Sequence, residues 1–268
     1  MKVRKGSRPH HSTLKGLRAE AFPTPFCAGC SHGILMGAIL RAIDKIGWNL
    51  DEMLFVSGIG CAGWIPSPHF AADTLHTTHG RAIAFATGAK LFRPELEVVV
   101  IGGDGDIASI GGNHLIHAAR RNIDLTVICA NNRIYGMTGG QVTPTTPQGA
   151  FTVTTPQGNP EPPFDLCRLV LGAGATYVAR HTVYHVKALI NILARALEHE
   201  GFAFVEVLSP CPTQYGRRNE LLTPWAMMQW LKENTMTIKR ALSLEDIGDK
   251  IVIGEFNDAR SRAMLGKR

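Results

Sequence analysis

The sequence predicts an α/β fold built on a doubly wound parallel sheet. The first observation is composition: of 268 residues, 45% are hydrophobic and 19% are charged, as in folded globular proteins and unlike disordered or low-complexity chains. The second is that short apolar runs alternate with amphipathic helical segments. The third is that polar and glycine-rich stretches follow the apolar runs, where ligands bind in such sheets.

The predicted elements follow one another in strict alternation. The first helix covers 34–46, where apolar residues recur at helical spacing and Ser31 stands at the N-cap position. Similar spacing predicts helices over 81–92, 114–121, 164–171 and 186–199. Each predicted strand is a short apolar run, and the five strands cover 53–56, 98–101, 125–130, 177–179 and 203–208.

Two stretches interrupt this alternation. Residues 139–163 contain six prolines and four glycines and repeat TTPQG, which predicts a long loop that is either functional or disordered. After residue 217 strand signals are sparse, and only short helices at 226–231 and 238–242 are predicted. We therefore divide the chain into a basic arm (1–25), an α/β domain (26–216) and a C-terminal tail (217–268) that packs on the domain or on a partner subunit.

The net charge of +6 comes from the N-terminal arm, because residues 1–18 carry six Lys or Arg and no acid. No nucleic-acid-binding motif or interleaved aromatic residues accompany the arm, so nucleic acid is not an expected partner. Apolar runs are too short for a membrane span, and the N-terminus lacks the features of a signal peptide. We expect a cytoplasmic protein, in which the six cysteines are reduced.

Polar side chains directly follow two neighbouring strands. The sequence GGDGD (102–106) follows one strand, and Asn131-Asn132 follows the next. The 25 residues between Gly105 and Asn131 allow one helix to return to a parallel strand, which brings Asp104 and Asn132 to one sheet edge. Mg²⁺ prefers such oxygen ligands, together with a main-chain carbonyl, water and phosphate. Either stretch alone is more often a simple turn or loop start, but the pair at this spacing resembles the diphosphate-binding motif of thiamine diphosphate (TPP) enzymes.

Four of the six cysteines lie in loops, namely Cys27, Cys30, Cys61 and Cys211. We expect all four at the same sheet edge, whereas Cys129 and Cys167 fall inside elements and belong to the core. Four thiolates suit Zn²⁺ or an iron–sulfur cluster, and spacing alone does not choose between them. The neighbouring TPP motif favours the cluster, because TPP chemistry can release electrons that a cluster accepts and zinc does not.

Taken together, the motifs resemble the β subunit of the 2-oxoacid:ferredoxin oxidoreductases over residues 26–211. The similar stretches are CAGC (27–30), SGIGC (57–61), LHTTHGRAIAFATGAK (75–90), GGDGD (102–106), NNRIYGMTGGQ (131–141) and SPCPT (209–213).

The resemblance implies a pyrophosphate-type TPP-binding domain and a set of ligands. The implied [4Fe-4S] ligands are Cys27, Cys30, Cys61 and Cys211, and the implied Mg²⁺ ligands are Asp104, Asn132 and the carbonyl of Ile134. The implied lining of the TPP site is Ile59, Gly60, Cys61, Ala62, His79, Gly105, Asp106, Gly136 and Met137.

The activity implied is CoA-dependent oxidative decarboxylation of a 2-oxoacid with ferredoxin as electron acceptor, or the reverse reaction. The segment TQYGRRN (213–219) is closer to the 2-oxoglutarate branch, which forms succinyl-CoA; pyruvate or broad 2-oxoacid specificity is the alternative. No catalytic residue is assigned within the chain. The glutamate that activates TPP is expected from an α subunit, in an αβ or (αβ)₂ enzyme.

One residue departs from the family pattern. Trp64 stands where many relatives carry a lysine near the substrate, so carboxylate recognition falls to Arg81, to the partner, or to a different substrate. Two other hypotheses stay open at this point: a zinc-stabilised nucleotide-binding module, and a TPP decarboxylase without redox function.

Overall fold

The computed structural model describes residues 15–265, and its centre is an eight-stranded sheet. The strands are β1 (Met53–Ser57), β2 (Asp73–His76), β3 (Glu97–Gly103), β4 (Leu125–Asn131), β5 (Tyr177–Thr182), β6 (Phe202–Leu208), β7 (Thr235–Thr237) and β8 (Ile251–Glu255). Their order across the sheet is β2-β1-β3-β4-β6-β5-β8-β7. The first six in that order are parallel, whereas β8 runs antiparallel to β5 and β7 is parallel to β8.

Helices cover both faces of the sheet. One face packs against α1 (His32–Ile46) and α5 (Val186–Leu197), and the other against α2 (Ala82–Phe92), α3 (Gly112–Arg120) and α4 (Leu166–Ala173). The predicted doubly wound α/β architecture is therefore confirmed. The other α-helices of the described residues are α6 (Pro224–Asn234), the short α7 (Ile238–Ala241) and α8 (Ala259–Arg262), and a π-helix covers Gly105–Ile110.

The central strands owe their position to continuous apolar sequence. β4, β5 and β6 are buried at every residue, as expected for parallel strands with helices on both faces. Helix ends follow local signals: α1 stops at Gly47, whose φ of 75° favours glycine, and the Asp165 side chain caps the first turn of α4 by accepting from the Arg168 N–H.

Three strands were not predicted. β2 has mostly exposed positions and therefore lacks the apolar run on which the prediction depended. β7 and β8 lie in the segment for which only short helices were expected; β7 has three residues, and β8 adds to the sheet edge through a short ladder against β5. Residues 1–14 of the predicted arm lie outside the described part of the chain. Within residues 15–265, no helix has both the length and the hydrophobicity needed to cross a membrane.

Candidate functional site

The ends of β3 and β4 bring the two predicted metal-binding side chains together. The strands pair in parallel with Gly103 opposite Ala130, so Asp104 and the Asn131-Asn132 pair leave the sheet at the same edge. Asp104 Oδ1 accepts a hydrogen bond from the backbone N–H of Asn132 at 3.3 Å. The juxtaposition expected from spacing alone is present in the structure.

Two threonines hold the Asp104 carboxylate. Thr143 Oγ1 and Thr145 Oγ1 each donate to Asp104 Oδ2 at 2.6 Å, and Asp104 is 1% exposed. Burial raises the pKa of Asp104, and the threonine and Asn132 hydrogen bonds oppose that rise. Both threonines come from the proline-rich loop 139–163, which therefore closes over the strand ends.

A cleft of about 220 Å³ opens beside Asp104. Every residue predicted to line TPP or to bind Mg²⁺ borders it: Ile59, Gly60, Cys61, Ala62, His79, Asp104, Gly105, Asp106, Asn132, Ile134, Gly136 and Met137. Sequence reasoning missed three further lining residues, Gly103, Tyr135 and Thr138.

Glycine backbone faces the open space of this cleft. A Cβ at Gly60 would meet no atom within 4 Å, and one at Gly103 would meet only the Ala62 side chain, at 3.9 Å. Side chains at these positions would fill the volume of the cleft. The cleft thus has room for a diphosphate group beside the Asp104 carboxylate, and carboxylate and phosphate oxygens are ligands that Mg²⁺ prefers.

Asp106 connects its own segment to the loops that carry Ile59 and Gly80, at the wall of the cleft. Its Oδ1 accepts from the backbone N–H groups of Gly80 at 2.7 Å and Ile59 at 3.3 Å, and lies 2.7 Å from His79 Nδ1. Burial raises its pKa, and the Gly80 hydrogen bond is the largest opposing effect. The Oδ2 atom has no hydrogen-bond partner within residues 15–265. Asp106 therefore fixes the shape of the cleft wall.

Tyr135 covers the start of the π-helix. Its hydroxyl donates to the Gly105 carbonyl at 3.1 Å, and its ring packs edge-on against His79 with centroids 5.9 Å apart. No periodic pattern in the sequence marks Tyr135 as a site residue. The one signal was its position between the Asn131-Asn132 pair and the TGG stretch at 138–140.

The four loop cysteines approach the same edge of the sheet. A Cβ at Gly136 would lie 3.5 Å from Cys211 Sγ and 3.8 Å from Cys61 Sγ. Burial raises the pKa of Cys30 to about 12 and that of Cys61 to about 11, and repulsion from the other thiolates adds to both shifts. All six cysteines are free thiols, and Cys129 and Cys167 are fully buried in the core, as expected.

The cysteine loops are not arranged around a single metal ion in the described part of the chain. Four thiolates around one Zn²⁺ lie roughly 3.8 Å apart, given Zn–S bonds of about 2.3 Å and tetrahedral geometry. In the described part of the chain no three His, Cys, Asp or Glu side chains are arranged to hold one metal ion. Cysteines that each bind a different iron of a four-iron cluster have wider spacing than those around a single zinc ion.

Serine hydroxyls join the first cysteine loop to the last. Ser31 Oγ donates to the Pro210 carbonyl at 3.0 Å, and Ser209 Oγ lies 2.9 Å from both Ser31 Oγ and His32 Nδ1. Ser31 is the N-cap residue of α1, as predicted, but its side chain makes no capping hydrogen bond to the helix. These bonds instead hold the CAGC loop beside Cys211.

Comparison with known proteins decides the family. Residues 58–207 match the family "Thiamine pyrophosphate enzyme, C-terminal TPP binding domain". The "2-oxoglutarate synthase subunit KorB" of Methanothermobacter marburgensis is 52% identical over 92% of this chain and 87% of its own length. The chain belongs to the β-subunit family of the 2-oxoacid:ferredoxin oxidoreductases.

Other relatives agree with this membership. The "2-oxoglutarate synthase subunit KorB" of Methanocaldococcus jannaschii is 51% identical, with 92% of each chain covered. A solved 2-oxoglutarate:ferredoxin oxidoreductase from Magnetococcus marinus, with 2-oxoglutarate, coenzyme A and succinyl-CoA bound, superimposes with a TM-score of 0.82 at 33% identity and covers 96% of this chain and 92% of that one. Membership in this family favours an oxidoreductase subunit over the nucleotide-binding module and over a decarboxylase without redox function.

The family match also divides the site into two parts. The TPP-binding region 58–207 contains Asp104, Asn132 and Cys61, whereas Cys27, Cys30 and Cys211 lie outside it. The chain thus carries a TPP-binding domain with three of its loop cysteines in flanking segments.

Proposed function

We propose that this chain is the TPP- and cluster-binding β subunit of an enzyme that converts 2-oxoglutarate and CoA to succinyl-CoA and CO₂, or the reverse, with ferredoxin as electron carrier. The observation that carries the proposal is the convergence of Asp104, Asn132 and Cys61 around one cleft, with Cys211 Sγ close to its wall at Gly136. The names of the relatives support the choice of substrate.

Within this proposal, the chain's residues bind and orient the diphosphate end of TPP. Asp104, the Asn132 side chain and the Ile134 carbonyl hold Mg²⁺, and the backbone around Gly60 and Gly105 approaches the phosphates. His79, 35% exposed at its side chain and next to Asp106, faces the same cleft. When bound, TPP supplies the carbon nucleophile for decarboxylation and a [4Fe-4S] cluster accepts electrons singly.

The four cysteines hold the cluster in this proposal. Because burial keeps the Cys30 and Cys61 thiols protonated in the free chain, loading iron requires that these protons leave as the sulfurs bind metal. Pro224 packs on the CAGC loop at Gly29, where a Cβ would overlap the proline ring.

Recognition of the substrate has to be explained without a lysine at residue 64. Trp64, at the position of the family lysine, is 37% exposed and its ring lies 6.1 Å from that of His76. Neither side chain is a fixed positive charge, so recognition of a second carboxylate falls to Arg81 or to an α subunit. We propose that the same α subunit supplies the glutamate that activates TPP, in an αβ or (αβ)₂ enzyme of the cytoplasm.

One experiment tests the whole proposal. The chain is purified anaerobically with its α subunit, iron, sulfide and zinc are measured, and CoA-dependent viologen reduction is assayed over a panel of 2-oxoacids. We expect a brown protein with broad absorbance near about 400 nm and the highest activity with 2-oxoglutarate. Stoichiometric zinc in a colourless complex contradicts the cluster, and preference for pyruvate contradicts the substrate.

A further inference from the structure

A buried ion pair lies beneath the proposed metal site, and the proposed chemistry does not use it. Arg180 on β5 and Glu206 on β6 occupy paired positions and are 8% and 3% exposed. Arg180 Nε donates to Glu206 Oε2 at 2.7 Å, and Arg180 Nη2 donates to Asp165 Oδ1 at 2.6 Å. Since a buried ion pair loses much of its attraction to desolvation, stability alone is a weak reason for its presence.

The second oxygen of Glu206 reaches the strand that carries the metal motif. Glu206 Oε1 accepts from Asn131 Nδ2 at 2.7 Å. Because an ionised carboxylate only accepts hydrogen bonds, this contact determines which end of the Asn131 amide faces Glu206. The amide oxygen must then point away from the ion pair, towards the turn after β4.

Asn131 Oδ1 holds two groups that shape the metal site. It accepts from the backbone N–H of Arg133 at 3.0 Å, and Arg133 has a φ of 64°, a conformation that non-glycine residues rarely adopt. It also accepts from Thr145 Oγ1 at 3.1 Å. The same threonine hydroxyl contacts Asp104, so its single proton has two acceptors, one of them oriented by Glu206.

We propose that the Arg180–Glu206 ion pair positions the metal-binding turn through the amide of Asn131. The inference rests on the proposed Mg²⁺–TPP site and makes Glu206 and Asn131 positioning residues, neither of which touches the metal. Such outer contacts matter because they set the orientation of the ligands themselves.

Glu206→Gln tests the orientation. A carboxamide has one accepting oxygen, and Arg180, which has only donors, takes it. The new NH₂ group then faces Asn131, whose amide inverts and turns Nδ2 towards the Arg133 N–H and Thr145. In the complex with the α subunit, stripped of cofactor, calorimetry is expected to give Kd values for Mg²⁺ and TPP that are raised about 10–100-fold.

Three more variants separate positioning from folding. Asn131→Ala leaves the ion pair intact and is expected to weaken Mg²⁺ and TPP binding as Glu206→Gln does. Adding Asn131→Asp to Glu206→Gln gives residue 131 two accepting oxygens, one towards the new NH₂ group and one towards the Arg133 N–H and Thr145. This double variant is expected to recover most of the lost Mg²⁺ and TPP affinity. Cys167→Ala is the matched control, because Cys167 Sγ lies 3.5 Å from Glu206 Oε2 but outside the Asn131 contacts; its Kd values are expected to equal those of the wild type.

The outcomes are distinct. Unchanged Mg²⁺ and TPP affinities in the Asn131→Ala complex overturn the proposal, whether or not Glu206→Gln folds. The proposal is also overturned if the double variant fails to recover the affinity that Glu206→Gln loses. Melting temperatures of all complexes are measured in parallel, and a loss of affinity at unchanged melting temperature supports positioning. A wild-type complex that binds no TPP contradicts the proposed function instead.

Discussion

The carboxylate of Asp106 occupies the space that a side chain at Gly58 would need. A Cβ built on Gly58 would overlap both carboxylate oxygens of Asp106. Gly58 directly precedes Ile59, whose N–H is one of the donors to Asp106, so the carboxylate and the chain approach each other at van der Waals distance. This close packing fixes the position of the cleft wall at Ile59 and Asp106.

Gly58→Ala is expected to displace Asp106 and destabilise the protein by about 1–3 kcal/mol, the usual cost of overpacking a close-packed site. Displacement also loosens the contacts to Ile59 and Gly80, so TPP binding is expected to weaken. Urea denaturation and calorimetry with TPP measure the two effects.

Gly88→Ala is the matched control. Gly88 lies in the interior of α2, has no positive φ, and a Cβ there would meet no atom within 4 Å. The exchange is expected to leave TPP binding unchanged and to stabilise the protein by up to about 1 kcal/mol, because alanine is the better helix former. If Gly58→Ala is as harmless as Gly88→Ala, the proposed role of Asp106 is wrong.

Gly105→Ala is expected to raise the Kd for TPP about tenfold, which corresponds to about 1.4 kcal/mol. A Cβ at Gly105 would overlap the ring of Tyr135, and the ring would have to leave the cleft wall. Titration of the stripped complex with TPP measures the effect.

Tyrosine variants identify the cause of that loss. Tyr135→Ala removes the ring and is expected to restore part of the TPP affinity of the Gly105→Ala protein, whereas Tyr135→Phe removes only the hydroxyl and is expected to restore none. Equal rescue by both variants would show that the Tyr135–Gly105 hydrogen bond, and not the ring, causes the defect.

The placement of Asp104 and Asn132 could be predicted because two simple constraints act together. Each residue follows an apolar strand, and one helical crossover between parallel strands brings the strand ends to one edge. The threonines that hold Asp104 could not be predicted in this way. They lie in a loop without periodicity, and only the folded loop shows which of its hydroxyls face the carboxylate.

The ion pair beneath the site left a signal that sequence reasoning did not use. Glu206 is the one charged residue in the β6 run FAFVEVL, and Arg180 interrupts the β5 run YVARHT. A lone charge in a strand buried on both faces needs a partner, so the two runs together could have predicted a cross-strand pair. The tail strands lacked an equivalent signal because β7 and β8 are short and partly exposed.

Cys211→Ala is expected to abolish the absorbance near about 400 nm and the iron content of the anaerobic complex, because a cubane loses stability without one of its thiolates. Cys129→Ala is the control: Cys129 is fully buried inside β4 and belongs to none of the cysteine loops, so its exchange is expected to leave iron and absorbance unchanged. Retention of iron in the Cys211→Ala complex would show that Cys211 is not a ligand.

His181 is expected to make the protein less stable in acid. Burial lowers its pKa to about 4 from an ordinary value of 6.5, and Nδ1 has no hydrogen-bond partner among the described residues. The unfolded chain therefore binds a proton between pH 6.5 and 4 that the folded chain does not, so the stabilisation is present above pH 6.5 and is lost as pH falls towards 4. From pH 7 to pH 5 this residue should account for about 2 kcal/mol of the loss in free energy of unfolding.

Urea denaturation of wild type and His181→Leu at both pH values tests this, and the variant should lose about 2 kcal/mol less than the wild type. An equal loss in both proteins would assign the acid sensitivity to other groups, of which His32, also buried and with a pKa lowered to about 4, is the first to examine.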